Sequence, residues 1–301
     1  MNAATPRARG QFLSLGELLV DMIVTDGAFR LAEAETFVAR PGGAPANAAV
    51  ALARLGMPAA FMGKVGDDQF GDKLQEALEA RGVDISRLVR TTEAATTIAF
   101  AWKDAGGDGN FWLLRAADTL LTPADVESAG IPDLAALLMC SISLSTGTSR
   151  AATWRAAEIA ASAGVPVVFD VNLRPTLWRE MSEFAPACQP VFDRATIVKL
   201  SLDDAAGLFQ EDLGHSEAVR RTADLAPRAS VVLTDGGRGA WFVPAGSAEV
   251  VHVPPFAVNA IEPTGAGDAF TAALVRRLSA QNWRAPIVDD VRYAAAAGAL
   301  A

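Results

Sequence analysis

Cysteine, histidine and positive charge are all scarce in this 301-residue chain, and each scarcity removes a class of function. Two cysteines, Cys140 and Cys188, cannot form a disulfide framework. Cys140 also lies in the apolar run 137–142, the setting of a small buried hydrophobe rather than a reactive thiol. His215 and His252 stand apart from each other and from the cysteines, with no metal-ligand spacing. That argues against zinc chemistry and against a Ser-His-Asp or Cys-His hydrolase. Lys and Arg number 26 against 35 Asp and Glu, a formal net charge of −9. A surface that acidic is a poor platform for nucleic-acid phosphates or an anionic membrane. No apolar run reaches membrane-spanning length, and the N-terminal stretch, although it carries Arg7 and Arg9, is broken by Gly16, Glu17 and Asp21. The expected address is cytoplasmic. No G-x-x-x-x-G-K-[ST] occurs either, since Gly63-Lys64 lacks the upstream glycine, which excludes P-loop nucleotide binding.

What the chain has is apolar mass. Apolar residues make up 51% and charged residues 20%, a globular composition rather than a disordered one. The length suits one large or two modest domains that bury roughly three quarters of the unfolded chain's surface, without a metal or disulfide staple. Short β-rich runs at 12–20, 59–65, 137–142, 165–171, 195–200 and 231–234 alternate with helical patterns at 46–55, 69–80, 149–163, 217–225 and 266–278. Gly56, Gly82 and Gly164 follow three of these patterns, where a glycine ends a helix. Strands alternating with helices predict a mainly parallel sheet covered on both faces. Two segments break the alternation. Runs 97–102 and 111–115 flank Asp-Ala-Gly-Gly-Asp-Gly-Asn, a loop suited to a hairpin, with Ile98, Phe100 and Trp102 on one face. Residues 24–40 read as extended chain with a turn at Asp26-Gly27. Together they predict a small β subdomain inserted into an α/β body, a natural lid.

Three stretches carry chemistry. Glu262-Pro-Thr-Gly-Ala-Gly-Asp-Ala-Phe270 opens a helix, so its glycine-rich turn presents free amides and the positive dipole end to an anion, with Asp268 in the first turn. The dipole alone also favours an acid there, and Phe270 together with the late position spoils a dinucleotide fingerprint. Pro41-Gly-Gly-Ala-Pro-Ala-Asn47 precedes an alanine-rich helix. Paired glycines let a ligand approach the backbone, and Asn47 donates and accepts toward sugar hydroxyls; a plain turn with Pro45 in the first helical turn fits the same residues. Asp21 follows the first strand, where an acid faces the ligand crevice of an α/β sheet or simply serves a turn.

In this order the pieces resemble the ribokinase-like (pfkB) carbohydrate kinases, from the first strand to residue 301. The matches are Gly-Gly-Ala-Pro-Ala-Asn at 42–47, Gly63-Lys-Val-Gly-Asp-Asp-Gln-Phe-Gly71, Asp170-Val-Asn-Leu-Arg174, Thr234-Asp-Gly-Gly-Arg-Gly239 and Thr264-Gly-Ala-Gly-Asp268. The first of these, and the Asp-x-Asn-Leu-Arg-x-x-Leu-Trp pattern ending at Trp178, are most similar to the fructokinase branch. The resemblance implies a three-layer α/β/α fold, mainly parallel, in a single domain over 1–301 with a lid from about 20–40 and 96–115. It implies transfer of the ATP γ-phosphoryl group to a sugar hydroxyl, D-fructose to fructose 6-phosphate, with Mg²⁺ bridging the phosphates. Asp268 would accept the hydroxyl proton while the amides of Gly265, Ala266 and Gly267 hold the transferring group. Asp21, Gly42, Gly43, Asn47 and Asn172 would bind the sugar, joined by Arg115 or Arg174 if it carried a carboxylate. Lys199, Ser201, Thr234, Gly236, Gly239 and Thr264 would contact the nucleotide.

Departures from the family pattern matter as well. Its Asn-x-x-Glu motif aligns with Ser201-Leu-Asp203-Asp204, so Asp204 replaces the acid with a shorter arm that reaches Mg²⁺ through water. Glu262 and Pro263 replace the usual Asp and a common Thr, which leaves a K⁺ site open. The chain stops inside the helical run 293–301, where relatives continue near the adenine, so a truncated C-terminus is expected. Homodimerisation through the lid is expected from the aromatic face. Competing substrates are 2-keto-3-deoxygluconate, ribose and an aminoimidazole riboside. A non-catalytic sugar or nucleotide binder on the same fold and a Rossmann oxidoreductase are the readings from other classes.

Overall fold

The computed structural model describes residues 10–107, 109–258 and 265–301. Nine strands form the large sheet. They are β1 (Phe12–Leu15), β4 (Ala59–Gly66), β5 (Asp84–Thr91), β8 (Ala136–Cys140), β9 (Val167–Asp170), β10 (Ile197–Ser201), β11 (Ser230–Thr234), β12 (Ala240–Val243) and β13 (Val251–Val253). Their order is β13-β12-β11-β10-β9-β8-β1-β4-β5, parallel except where β12 and β13 turn back at one edge. The α/β expectation holds. Strands β2 (Leu19–Val24), β3 (Phe37–Gly42), β6 (Ile98–Lys103) and β7 (Gly109–Leu114) make a separate sheet in the order β3-β2-β6-β7.

Helices cover both faces of the large sheet. Those described are α1 (Ala44–Arg54), α2 (Gln69–Glu79), α3 (Pro123–Glu127), α4 (Gly147–Ser162), α5 (Phe184–Phe192), α6 (Leu202–Phe209), α7 (His215–Leu225), α8 (Ala266–Ser279) and α9 (Val288–Leu300). Alternation along the strands divides the core. Leu13, Leu15, Phe169, Val198 and Val231 pack with α4, α5 and α7, while Phe12, Val168, Ile197 and Val232 pack with α1, α8 and α9. Apolar residues on both faces of one strand are what a doubly covered sheet requires.

One expected strand divides in two. The run 12–20 breaks at Gly16 (φ +156°), where a Cβ would fall 2.5 Å from the Pro45 ring. Only a glycine lets the chain leave the large sheet after Leu15 and enter the small sheet at Leu19. The hairpin forms as read, with Phe100 opposite Trp112 and Lys103 opposite Gly109. The two histidines, far apart in sequence, both stack on Trp241, at ring-centroid distances of 3.7 Å for His215 and 4.4 Å for His252. Neither joins a metal cluster among the described residues.

Candidate active site

In an α/β sheet the ligand crevice lies beyond the carboxyl ends of the strands, where the strand order reverses. Here that point is β1, which has β4 on one side and β8 on the other. Asp170 ends β9, Ser201 ends β10 and Thr234 ends β11, all on this rim.

Asp268 is the third residue of α8, whose N-cap is Gly265 at φ +86°. The amides of Ala266, Gly267 and Asp268 form the first turn of α8, after its N-cap Gly265, where a helix leaves its N–H groups without intrahelical partners, at the positive end of a 14-residue helix. A Cβ on Gly267 would lie 3.1 Å from Lys199 Nζ, so the buried ammonium stands directly behind these amides. Lys199 pairs with Asp170 at 3.1 Å, and Thr271, one turn after Asp268, donates its hydroxyl to the other Asp170 oxygen at 2.9 Å. Amides, dipole and ammonium converge on one small volume suited to a phosphoryl group.

The carboxyl of Asp268 faces α1. Asn47 Nδ2 donates to its Oδ2 at 3.0 Å across 221 residues of sequence. Burial, with the charge of Asp170, pushes the Asp268 pKa up to about 7, against the Asn47 hydrogen bond and Lys199. Burial also works against the Lys199 ammonium, but Asp170 and Asp204 outweigh it and its pKa is raised. Asp21 is pushed up to about 6 by burial, opposed by Arg174. A Cβ on Gly42 would fall 2.0 Å from Asp21 Oδ2, so a larger residue there would displace that carboxyl, and Gly43 (φ +107°) opens α1. Arg174 lies 5.7 Å from the Phe111 ring centroid, joining the body to the inner face of the small sheet. Asn172, at φ +40°, holds a left-handed conformation uncommon outside glycine.

Other candidate residues stand further off or are otherwise engaged. The Arg115 side chain is buried and gives four of its five N–H groups to Asp118, the Ile142 carbonyl and Ser145. Ser201 caps α6 by accepting from the Asp204 amide at 3.0 Å. Thr234 donates to the Leu200 carbonyl at 3.4 Å. Gly236 and Gly239 have φ of +44° and +100°, and a Cβ on Gly239 would strike the Val253 carbonyl at 2.3 Å. Thr264, with Glu262 and Pro263 on which the K⁺ question rests, lies outside the described residues.

The metal fit turns on Asp204. Its Oδ1 accepts the Leu173 amide and its Oδ2 the Ser201 amide, each at 2.7 Å, and it is 7% exposed. Among the described residues no group of three His, Cys, Asp or Glu side chains is arranged to hold a metal. Such a donor set suits magnesium arriving on nucleotide phosphates with its own waters rather than in a protein cage.

A family model described as pfkB family carbohydrate kinase matches residues 10–301. The chain belongs to this family. It is 37% identical over 295 residues to fructokinase-1 of Oryza sativa subsp. japonica, covering 96% of this chain and 90% of that protein. Among solved structures, the fructokinase of Halothermothrix orenii superposes with a TM-score of 0.83 at 30% identity, covering 96% of this chain and 98% of that one. A Vibrio cholerae O395 fructokinase with fructose, ADP and calcium ion bound gives 0.80 at 32% identity, covering 97% and 92%. The crevice of this carbohydrate kinase also holds residues to which the motifs assigned no role. Asp170 opens a quoted motif, and Thr271 shares the helix face of Asp268 at three-residue spacing, a pairing visible in the sequence. Glu17 gave no signal beyond interrupting an apolar run.

Proposed function

We propose that this ATP-dependent sugar kinase phosphorylates D-fructose on its 6-hydroxyl, with MgATP as the donor. The observation that carries the reading is the joint of Asp268, held by Asn47 on one side and standing in the first turn of α8 on the other. Asp268 takes the proton of the attacking hydroxyl. The amides of Gly265, Ala266 and Gly267, with Lys199 behind them, hold the charge of the transferring group. Phosphoryl transfer through a loose transition state is mainly positioning and charge stabilisation, so this is where catalysis is needed. Bound Mg²⁺ would supply charge neutralisation on the phosphates, and Asp204, whose two oxygens already accept the Leu173 and Ser201 amides, would face it through water.

A neutral ketose asks for hydroxyl partners, which Asp21 and Asn47 supply beside Gly42, Gly43 and Asn172. An acid sugar needs a free cation, whereas Arg115 is engaged by Asp118, Ile142 and Ser145, and Arg174 acts on the Asp21 carboxylate. The fructose-bound relative supports the same choice. Lys199, Ser201, Thr234, Gly236, Gly239 and Thr264 border the nucleotide. The small sheet, a lid over about 20–40 and 96–115, turns the face of Asp21 and Phe111 to the sugar. Its other face carries Phe100 stacked on Trp112, with Trp112 51% and Leu114 43% exposed, and pairs with a second copy of the chain. Both cysteines are free and buried, as suits the cytoplasm, where ATP is supplied; no described helix is long and apolar enough to cross a membrane. ADP release with MgATP across fructose, ribose, 2-keto-3-deoxygluconate and an aminoimidazole riboside tests the reading. Fructose should give the highest kcat/KM, and preference for an acid sugar would contradict the assignment.

A further inference from the structure

Glu17 is a buried acid that phosphoryl transfer leaves without a task. It is 1% exposed and sits where the strand order of the large sheet reverses, in the crossover from β1 to β2. Its Oε1 accepts the amide of Ala44, the first residue of α1, at 3.0 Å. Its Oε2 accepts the thiol of Cys140, the last residue of β8, at 3.2 Å. The return from β3 of the small sheet to the body runs through Gly43, where a Cβ would fall 2.4 Å from the Glu17 carbonyl oxygen. One residue thus fastens two of the four crossovers between the sheets, the start of α1 and the end of β8.

A buried carboxyl in such a place is poor material for stability alone, because burial penalises its charged form. What it gains is geometry. Asn47 stands three residues beyond Ala44 and reaches Asp268, and β2 carries Asp21 four residues beyond Glu17. We propose that Glu17 is a positioning residue for phosphoryl transfer, acting through the Ala44 amide to set the start of α1 and hence the Asn47–Asp268 contact. The inference rests on the kinase reading of Asp268.

Electrostatics supplies a separate readout. Burial pushes the Glu17 pKa up to about 7, opposed by hydrogen bonds from its own backbone amide and Cys140 and by Arg115, while Asp118 adds to the rise. Its charge in turn contributes to holding Asp268 above the usual carboxylate range. The conservative variant Glu17→Gln keeps an oxygen for the Ala44 amide but removes the charge. Glu17→Ala removes both, and Cys140→Ala removes only the thiol donor.

The test measures kcat, fructose KM, ATP KM and the pH profile of all three variants and of Asn47→Ala, with melting curves to confirm folding. Glu17→Ala should lose at least thirtyfold in kcat/KM for fructose with ATP KM unchanged within twofold. Glu17→Gln should recover most of that loss while its acidic limb moves to lower pH. Combined with Asn47→Ala, Glu17→Ala should cost less than the product of the single losses, since both act on one contact. Folded Glu17→Gln and Glu17→Ala enzymes with wild-type kcat, fructose KM and pH profile would overturn the proposal, as would losses that multiply independently of Asn47. Should Glu17→Ala not fold, Glu17→Gln and Cys140→Ala decide: a wild-type acidic limb in Glu17→Gln overturns it. Wild-type protein without fructose turnover would instead count against the kinase reading.

Discussion

Replacing Asp268 by Asn should move activity and stability in opposite directions. A positioned base contributes about 10²–10⁴-fold, or roughly 3–5 kcal/mol of barrier, so kcat should fall by at least that range. Sugar and ATP affinities should change only a few-fold, because the amides of α8 and the Asn47 donor remain. Stability works through linkage. The folded pKa of about 7 lies above the ordinary 3.8, so the folded state holds the proton more tightly than the unfolded chain. Its contribution is therefore intact at low pH and is lost as pH rises between those two values. The full shift of about three units corresponds to roughly 4 kcal/mol, which we discount to about 2 because the carboxyl is still partly open to the crevice. The neutral amide escapes this loss. For a chain of this size the variant should melt about 2–5 °C higher than wild type at pH 8, with a smaller gain at pH 5. Steady-state kinetics, calorimetric titration and melting curves on one preparation check all three. A folded variant with near-normal turnover, or one less stable at pH 8, would refute the reasoning.

Asn47→Ala removes a hydrogen bond to a carboxylate, worth about 1.5–3 kcal/mol, so kcat/KM for fructose should fall roughly 10–100-fold with ATP KM unchanged. Lys199→Met leaves Asp170 buried without its cation and should destabilise the fold by about 3–5 kcal/mol, read as a lower denaturant midpoint. Phe100→Ser with Trp112→Ser should give a folded monomer with weaker fructose binding; a wild-type protein that sediments as a monomer at micromolar concentration would contradict the paired lid.

Much of the fold was legible because its signals are local. Gly56, Gly82 and Gly164 end helices at φ of +75°, +76° and +69°, as their positions after apolar periodic runs indicated. The glycine-rich motifs were legible for the same reason, since Gly43, Gly239 and Gly265 all sit at positive φ. Strand β5 was missed because Asp84, Arg87 and Arg90 interrupt its apolar pattern. Its Arg90 finds Asp67 and Asp72, partners that only the fold supplies. Helix α5 was hidden by Pro190 and α6 by its acidic first turn. The split of the first strand turned on one glycine wedged against Pro45. In the site, the meetings of Glu17 with Cys140 and of Asp170 with Lys199 and Thr271 are set by strand order, across separations no motif spans. Cys140 is buried, as its apolar run implied, but its thiol also donates to a buried acid.

The most direct test of the account is the identity of the product. Protein, MgATP and D-fructose are incubated together and followed by phosphorus and proton NMR, with Asp268→Asn as the parallel sample. The account predicts one new phosphate monoester, coupled to the methylene protons at C6 and formed in step with ADP, and almost none from the variant. ATP hydrolysis to free phosphate, a monoester at another carbon, or equal product from both proteins would contradict it.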